Sequence, residues 1–323
     1  MPDTSRPSPA RELDVAVLGE VAVDVTLQVQ TLPEPGEFVL ARSRDRLAGG
    51  SAGNVAVGLA RLGQRVGFFG AIGDDEDGQF LRRAFELEGV DTANLIDTPG
   101  YGTPSCLVIV NDLGERTILG LPRDPVGASL DCFDLEALRA ARLVFVGPTH
   151  TGIARRLTAA LGTRDITLAY APGGLCHCLE PRDLQPMMER ADILFVNGSE
   201  AMAVTDVAPP EEAIGGLVDV GPRLIVGTLG ENGALVVRGK QRYRIPAVPV
   251  TRVRDTTGAG DAFAAGFIAA HLRGLDPRQA ARVGSAAAAL TIRRLGARVG
   301  LPSWEEALSV VEVGLDDEPN KTV

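Results

Sequence analysis

No stretch of the chain is apolar for long enough to cross a bilayer, and Met1 to Arg11 contains proline but no apolar core of the kind a secretory leader needs. No membrane partner is expected, and the sequence reads as that of a soluble, cytoplasmic protein. Lysine and arginine never gather into a block, and the formal net charge is −10. That balance argues against a nucleic-acid partner, which needs a clustered basic face. Four cysteines in 323 residues are too few and too scattered for a disulfide framework. Cys176-His177-Cys178 invites a metal reading, but adjacent ligands on a short loop need others elsewhere and no second Cys/His cluster exists, so ordinary reduced thiols are expected. Aromatic residues make up only 4%, which leaves few rings to stack a nucleobase and leans toward a sugar as ligand.

What the chain has is alternation. Val15 to Gly19, Leu143 to Val146, Ile166 to Tyr170, Ile193 to Val196 and Leu224 to Thr228 are short apolar runs of the buried-strand type. Helical patterns occupy Asn54 to Leu62, Gln79 to Glu88, Asp134 to Ala141, Gly152 to Leu161 and Pro181 to Arg190. Together they predict an α/β fold with a doubly wound, mainly parallel sheet, and ligands at the carboxyl ends of its strands. Two segments break the rhythm. Val25 to Val29 with Phe38 to Ala41, and Ser105 to Val110 with Arg116 to Leu119, read as hairpin strands, the second pair joined by the turn Asn111 to Gly114. They predict a small separate β-sheet with strands near residues 25–43 and 102–121. The tails, residues 1–11 and 314–323, leave one domain over residues 12–313.

Asp255-Thr-Thr-Gly-Ala-Gly-Asp-Ala-Phe263 carries the most chemistry. Ala262 to Leu272 is a strong helix pattern, which puts Gly258 to Asp261 in its first turn. Backbone N–H groups there lack internal partners and have the positive end of the helix dipole behind them, which suits a phosphate. Asp261 would repel that phosphate, so its task is read as taking a proton from a hydroxyl that attacks it. In Gly49-Gly50-Ser51-Ala52-Gly53-Asn54 the glycines permit close backbone approach, and Asn54 offers both a donor and an acceptor to a polyhydroxyl ligand. The first five of these residues also fit the Gly-x-Ser-x-Gly elbow of serine hydrolases. That elbow follows a buried apolar strand, whereas Ala41 to Leu47 is strongly polar, so Ser51 is given no nucleophilic role.

The segment from Asp255 to Phe263 resembles the carboxy-terminal signature Asp-Thr-x-Gly-Ala-Gly-Asp-x-Phe of the ribokinase-like, or PfkB-type, carbohydrate kinases, and the similarity runs from about Val15 to Pro302. The resemblance implies a ribokinase-like fold whose small sheet is a lid over the sugar, with ATP and Mg2+ as cofactors. It makes Asp261 the catalytic base and Gly258, Ala259 and Gly260 the anion hole. Gly49, Gly50 and Asn54 match the family's Gly-Gly-x-x-x-Asn substrate motif, and Asp24 falls where the family places an Asp on sugar hydroxyls. On the residues alone, Asp24 is equally a solvated strand-end acid. Asn197-Gly-Ser-Glu200 resembles the Asn-x-x-Glu element, in which Glu200 would organise magnesium through water. Read without the family, it is a capping Asn with an acid in the first turn. Thr228, Gly230 and Gly233 belong to a stretch similar to the family's nucleotide loop, and Ser285 to one that flanks adenine.

The resemblance further implies a monovalent-cation site near the signature and Leu295 to Gly300, with Asp255 as a candidate and K+ as the ion; Gly300 stands where ribokinase has Ser. Ala22, Ser51 and Pro148-Thr149-His150 also depart from ribokinase and point away from ribose itself, while His150 is a candidate substrate contact. The expected activity is ATP-dependent phosphorylation of a primary hydroxyl on a small sugar, in a protein that could pair as a homodimer through the lid. A nucleoside kinase of the same fold is the alternative acceptor reading. A catalytically silent nucleotide-binding regulator is the non-enzymatic one, and retention of Asp261 favours the enzyme.

Overall fold

The computed structural model describes residues 13–121, 133–149, 151–162 and 166–315. His150, Cys132, the first tail and residues 316–323 of the second lie outside the described residues, while α10 runs into the second tail as far as Leu315. β1 (Val15–Leu18) leads into β2 (Ala22–Gln28), β3 (Ser43–Gly49) and α1 (Ser51–Arg61). β4 (Val66–Gly73), α2 (Glu76–Leu87), β5 (Asp91–Thr98), β6 (Ser105–Val110) and β7 (Arg116–Leu121) follow. The chain then alternates through α3 (Leu135–Arg139), β8 (Leu143–Val146), α4 (Thr151–Leu161), β9 (Thr167–Tyr170), α5 (Pro181–Arg190) and β10 (Ile193–Asn197). Next come α6 (Gly198–Thr205), α7 (Pro210–Gly216), β11 (Leu224–Thr228), β12 (Ala234–Arg238) and β13 (Gln241–Ile245), and the fold ends on α8 (Ala259–Leu272), α9 (Pro277–Thr291) and α10 (Trp304–Leu315).

Among the described residues the main sheet has nine strands in the order β13-β12-β11-β10-β9-β8-β1-β4-β5, parallel from β11 to β5 and antiparallel at β12 and β13. Side chains alternate along a strand, so each strand feeds two cores. Val15 and Val17 of β1 pack with α1 and α8, while Ala16 and Leu18 pack with Leu157 of α4 and Met187 of α5. This is the doubly wound α/β arrangement that the alternating pattern implies.

α8 carries Asp261 in its first turn, and its packing fixes where that residue sits. Ala262 to Ala270 are all buried, and a helix that is apolar all round belongs inside a protein. Its neighbours come within backbone contact: a Cβ on Gly266 would lie 2.9 Å from Val283 O of α9, and one on Gly58 of α1 would lie 2.8 Å from Ala265 Cβ. Phe267 also meets Phe195 of β10 edge-on, with ring centroids 5.4 Å apart. The start of α8 is therefore held rigidly against the carboxyl ends of the parallel strands.

The small sheet exists, in the order β3-β2-β6-β7, but one of its expected strands is misplaced. Phe38 to Ala41 is not a strand, and Phe38 and Leu40 are largely exposed. The antiparallel partner of β2 is instead the polar stretch Ser43–Gly49, with Asp24 opposite Leu47. Apolar pattern fails here because β3 is only half buried. Its register comes from the backbone ladder, and its side chains find polar or aromatic partners: Arg46 pairs with Asp77 and lies 4.4 Å over the Phe80 ring. The expected β6–β7 hairpin and its turn at Asn111 are present, and β6 lies parallel to β2.

Phe267 is fully buried. Phe267→Ala should destabilise the protein by about 3–5 kcal/mol, the usual cost of an aromatic truncation in a close-packed core. Guanidinium unfolding checks this. A loss below about 1 kcal/mol would mean that α8 is not held by this packing.

Candidate active site

β3 ends at Gly49, and α1 begins two residues later, at Ser51 rather than at Asn54 as the pattern suggested. The linking Gly50 has φ 82°, and a Cβ there would lie 2.7 Å from Val21 Cα. A Cβ on Gly49 would collide with the Asp24 carboxylate. These two glycines therefore let the helix start directly beside β2. With the earlier start, Ser51 and Asn54 are three residues apart and share one face.

That face meets the start of α8. Gly258 caps it with φ 77°, and a Cβ there would lie 2.7 Å from Ala297 Cβ. Asp261 follows in the first turn. Ser51 Oγ donates to Asp261 Oδ1 at 2.7 Å, and Asn54 Nδ2 donates to Oδ2 at 2.8 Å. Burial pushes the Asp261 carboxyl above its ordinary range, while these two donors and the charges of Arg116 and Arg298 pull it back. Beside it lies an opening for an anion. Ala259 N–H is turned to Thr256 O at 3.3 Å, whereas a Cβ on Gly260 would meet nothing within 4 Å. The N–H groups of Gly260 and Asp261 have no carbonyl one turn behind them, so the cradle fits a phosphoryl group.

Asp24 is 7% exposed. Burial raises its carboxyl to about 6, the Arg298 charge opposes that rise, and Asp261 and Asp255 add to it. Cys106 of β6 is its neighbour in register, half-buried, with a thiol pushed up to about 11 by burial and by the charges of Asp24 and Glu20. Asp24, Asn54 and Asp261 thus form one polar floor under the small sheet. Arg116 of β7 reaches down from that sheet to Thr256 Oγ1.

Asn197 and Thr228 are register partners at the carboxyl ends of β10 and β11. Asn197 Oδ1 accepts from Glu200 N–H at 2.9 Å, and Glu200 Oε2 accepts from Asn197 N–H at 2.9 Å, a reciprocal cap on α6. Burial raises the Glu200 carboxyl. His177 Nε2 lies 3.2 Å from Ser199 Oγ, which brings the Cys176-His177-Cys178 loop beside the same helix start. No group of three or more His, Cys, Asp or Glu suited to a metal occurs among the described residues. One carboxylate and an amide at a strand end remain a fitting set for an ion that keeps most of its own water.

Gly233 has a structural task, since a Cβ there would collide with Ile245 O, while Gly230 has open space around it. Ser285 of α9 lines a cavity of about 770 Å³ whose walls include Pro246, Ala247, Val248, Ala289 and Leu290, apolar enough for a base. Asp255 is spent internally: it accepts from Thr257 N and Oγ1 at 2.8 and 2.6 Å and from Gly296 N at 2.8 Å, which ties the signature to the 292–300 loop.

Sequence reasoning had missed three participants. The sequence leaves Ser51 no role once the hydrolase elbow is excluded, shows Arg116 only as a strand residue, and places Arg298 within the stretch Leu295 to Gly300 associated with a cation. The i, i+3 spacing of Ser51 and Asn54 was the available signal for the first.

Compared with known proteins, residues 12–304 match the pfkB family of carbohydrate kinases. An ATP-dependent ribose-1-phosphate kinase of Halopiger xanaduensis is 34% identical over 280 residues, 87% of this chain and 92% of that protein. A nucleoside kinase of Methanothermobacter thermautotrophicus is 28% identical over 93% of this chain and 96% of its own. Among solved structures, Arabidopsis thaliana ribokinase complexed with ribose and ATP superposes with a TM-score of 0.82 at 24% identity, covering 94% of this chain and 99% of that one. The fold, the order of the motifs and this family match agree: the chain belongs to the pfkB family and is an ATP-dependent carbohydrate kinase.

Proposed function

We propose that this kinase transfers the γ-phosphoryl group of ATP directly to a primary hydroxyl of a small sugar, with Asp261 as general base. The observation that carries this reading is the partly buried Asp261 carboxylate, held by Ser51 and Asn54 at the mouth of an open helix N-terminus. Asp24 and Asn54 would hold acceptor hydroxyls by charge-assisted and amide hydrogen bonds. Asp261 takes the hydroxyl proton as the acceptor oxygen bonds to phosphorus. The bond to the bridging oxygen of ADP breaks, and ADP leaves with that electron pair. The Gly258 to Gly260 turn meets the charge on the transferred group through the open N–H groups of Gly260 and Asp261, the Ala259 N–H being engaged with Thr256 O. Ser285 and its cavity would take the base, and Asn197, Thr228, Gly230 and Gly233 lie along the phosphate path. Magnesium, when bound, would neutralise triphosphate charge, with Glu200 organising it through water. Asp255 as a ligand for K+ would have to share oxygens that already accept three hydrogen bonds. The kinase domain spans residues 12–313, with β2, β3, β6 and β7 as its lid. Exposed Ile118, Leu119 and Leu121 on edge strand β7 support a homodimer through that lid.

A phosphorylated sugar is a second acceptor reading. It is favoured by the exposed Arg116 guanidinium above the signature and by the ribose-1-phosphate kinase relative. ATP consumption with ribose, ribose 1-phosphate and inosine separates sugar, sugar phosphate and nucleoside.

Three outcomes are expected. Asp261→Asn should keep ATP affinity and lower turnover by about two to four orders of magnitude, the usual contribution of a general base; near-normal turnover would remove Asp261 from the chemistry. Glu200→Gln keeps an acceptor for the α6 cap but loses the charge, so its turnover should require more magnesium while the acceptor KM stays close to the parent's. Superimposable magnesium titrations would leave Glu200 as a cap alone. Asp24 has a folded pKa of about 6 against an ordinary 3.8, so its ionisation costs stability that is lost as pH rises from about 4 through 6. Asp24→Asn should therefore stabilise the protein at pH 8 by on the order of 3 kcal/mol, about two pKa shifts of 1.36 kcal/mol each, yet impair acceptor use. The gain should vanish below about pH 4. Thermal melts of both proteins across that range check it, and a gain independent of pH would contradict the assignment.

A further inference from the structure

We infer that Arg298 is a positioning residue for the catalytic base: it fixes which end of the Asn54 amide faces Asp261. It rests on the reading of Asp261 as that base. Arg298 is 8% exposed, in the loop between α9 and α10. Its Nε donates to Asn54 Oδ1 at 2.9 Å and its Nη2 to Gly49 O at 2.6 Å, while Nη1 is buried with no hydrogen-bond partner. The guanidinium lies 5.1 Å from the Phe85 ring centroid, and a Cβ on Gly53 would lie 2.4 Å from Nη2. The pocket is thus shaped around it, although one of its donors goes unused.

An asparagine amide is nearly symmetric in shape, so only its partners decide which end points where. Arg298 has donors alone and forces Oδ1 toward itself. Nδ2 must then face Asp261 Oδ2, where a donor stabilises the ionised carboxylate that can accept a proton. Without Arg298 only the Asp261 carboxylate holds this orientation, and an amide turned over, with Oδ1 against Asp261, would repel it. The guanidinium charge also reaches two carboxylates, Asp24 and Asp261, and opposes the burial that raises both. Other groups that act on this cluster are Arg116 and Glu200 toward Asp261, Asp255 toward Asp24, and Glu88 and Arg61 toward Arg298. Burial in turn lowers Arg298 to about 10, which leaves it cationic at neutral pH.

A loop clamp acting only through Gly49 O would give a different pattern, and a double-mutant cycle separates the two. Turnover is measured on the best acceptor among ribose, ribose 1-phosphate and inosine for Arg298→Met, Asn54→Ala and the double variant. Arg298→Met should lower kcat by about ten- to a hundredfold, with ATP affinity within about threefold of the parent. In the Asn54→Ala background it should cost less than about threefold more. The acidic limb of the kcat profile should move to higher pH in Arg298→Met and return toward the parent's in Arg298→Lys, which restores charge but only one donor centre. Additive losses, or an unmoved acidic limb, would overturn the proposal. A 13C titration of the Asp261 carboxyl, assigned with Asp261→Asn, reads the same effect without any acceptor: Arg298→Lys, the variant best able to fold, should keep its midpoint near the parent's, and Arg298→Met should raise it. An unchanged midpoint in Arg298→Met contradicts the proposal whatever the enzyme's substrate. A raised midpoint together with full turnover by Asp261→Asn would instead overturn the base reading and leave the positioning intact.

Discussion

The grip of Ser51 and Asn54 on the Asp261 carboxylate depends on how closely two helices can approach, and much of the molecule is arranged around that approach. Gly58 meets Ala265 where α1 and α8 cross, and Gly266 meets the α9 backbone on the other side. The glycines that precede each helix let both N-termini open at one place, at the carboxyl edge of the parallel sheet. A helix N-terminus by itself attracts anions. Two of them beside a partly buried carboxylate give a place where a phosphoryl group and a proton acceptor can lie side by side.

Such a floor is electrostatically expensive. Asp24 feels the charges of both Asp255 and Asp261, and burial raises the carboxyls of Asp24 and Asp261. Asp255 is relieved by three donors, Asp261 by two, and Asp24 mainly by the charge of Arg298. The carboxylate with least local relief is the one assigned to the acceptor, as expected of a group whose hydrogen-bond partners arrive with the substrate. Stability is given up where binding needs an unsatisfied acceptor.

The main sheet was legible because parallel strands buried on both faces are continuous apolar runs, and β8, β10 and β11 fall within a residue of their expected bounds. The small sheet was less so: β3 is a polar strand recognised by its ladder with β2, and no local pattern announces that. The open turn at the start of α8 could be read because a helix start and its glycines are local features. The network around it could not. Ser51 and Asp261 are 210 residues apart in the chain and Arg298 and Asn54 are 244, so only the packing of α1 against α8 and the 292–300 loop brings them together. Asn197 and Glu200 show the converse: their capping role is a local pattern, and the pair forms the reciprocal cap on α6 that the sequence alone suggests.

The central claim is that an acceptor hydroxyl, ATP and Asp261 meet at the start of α8. A crystal structure with the turned-over acceptor and a non-hydrolysable ATP analogue tests it directly. The account predicts an acceptor oxygen at hydrogen-bond distance from the Asp261 carboxylate, about 2.6–3.2 Å, with the γ-phosphoryl group on the Gly258 to Gly260 turn and in line with that oxygen. An acceptor hydroxyl directed at another base, or a triphosphate that avoids the turn, would contradict it.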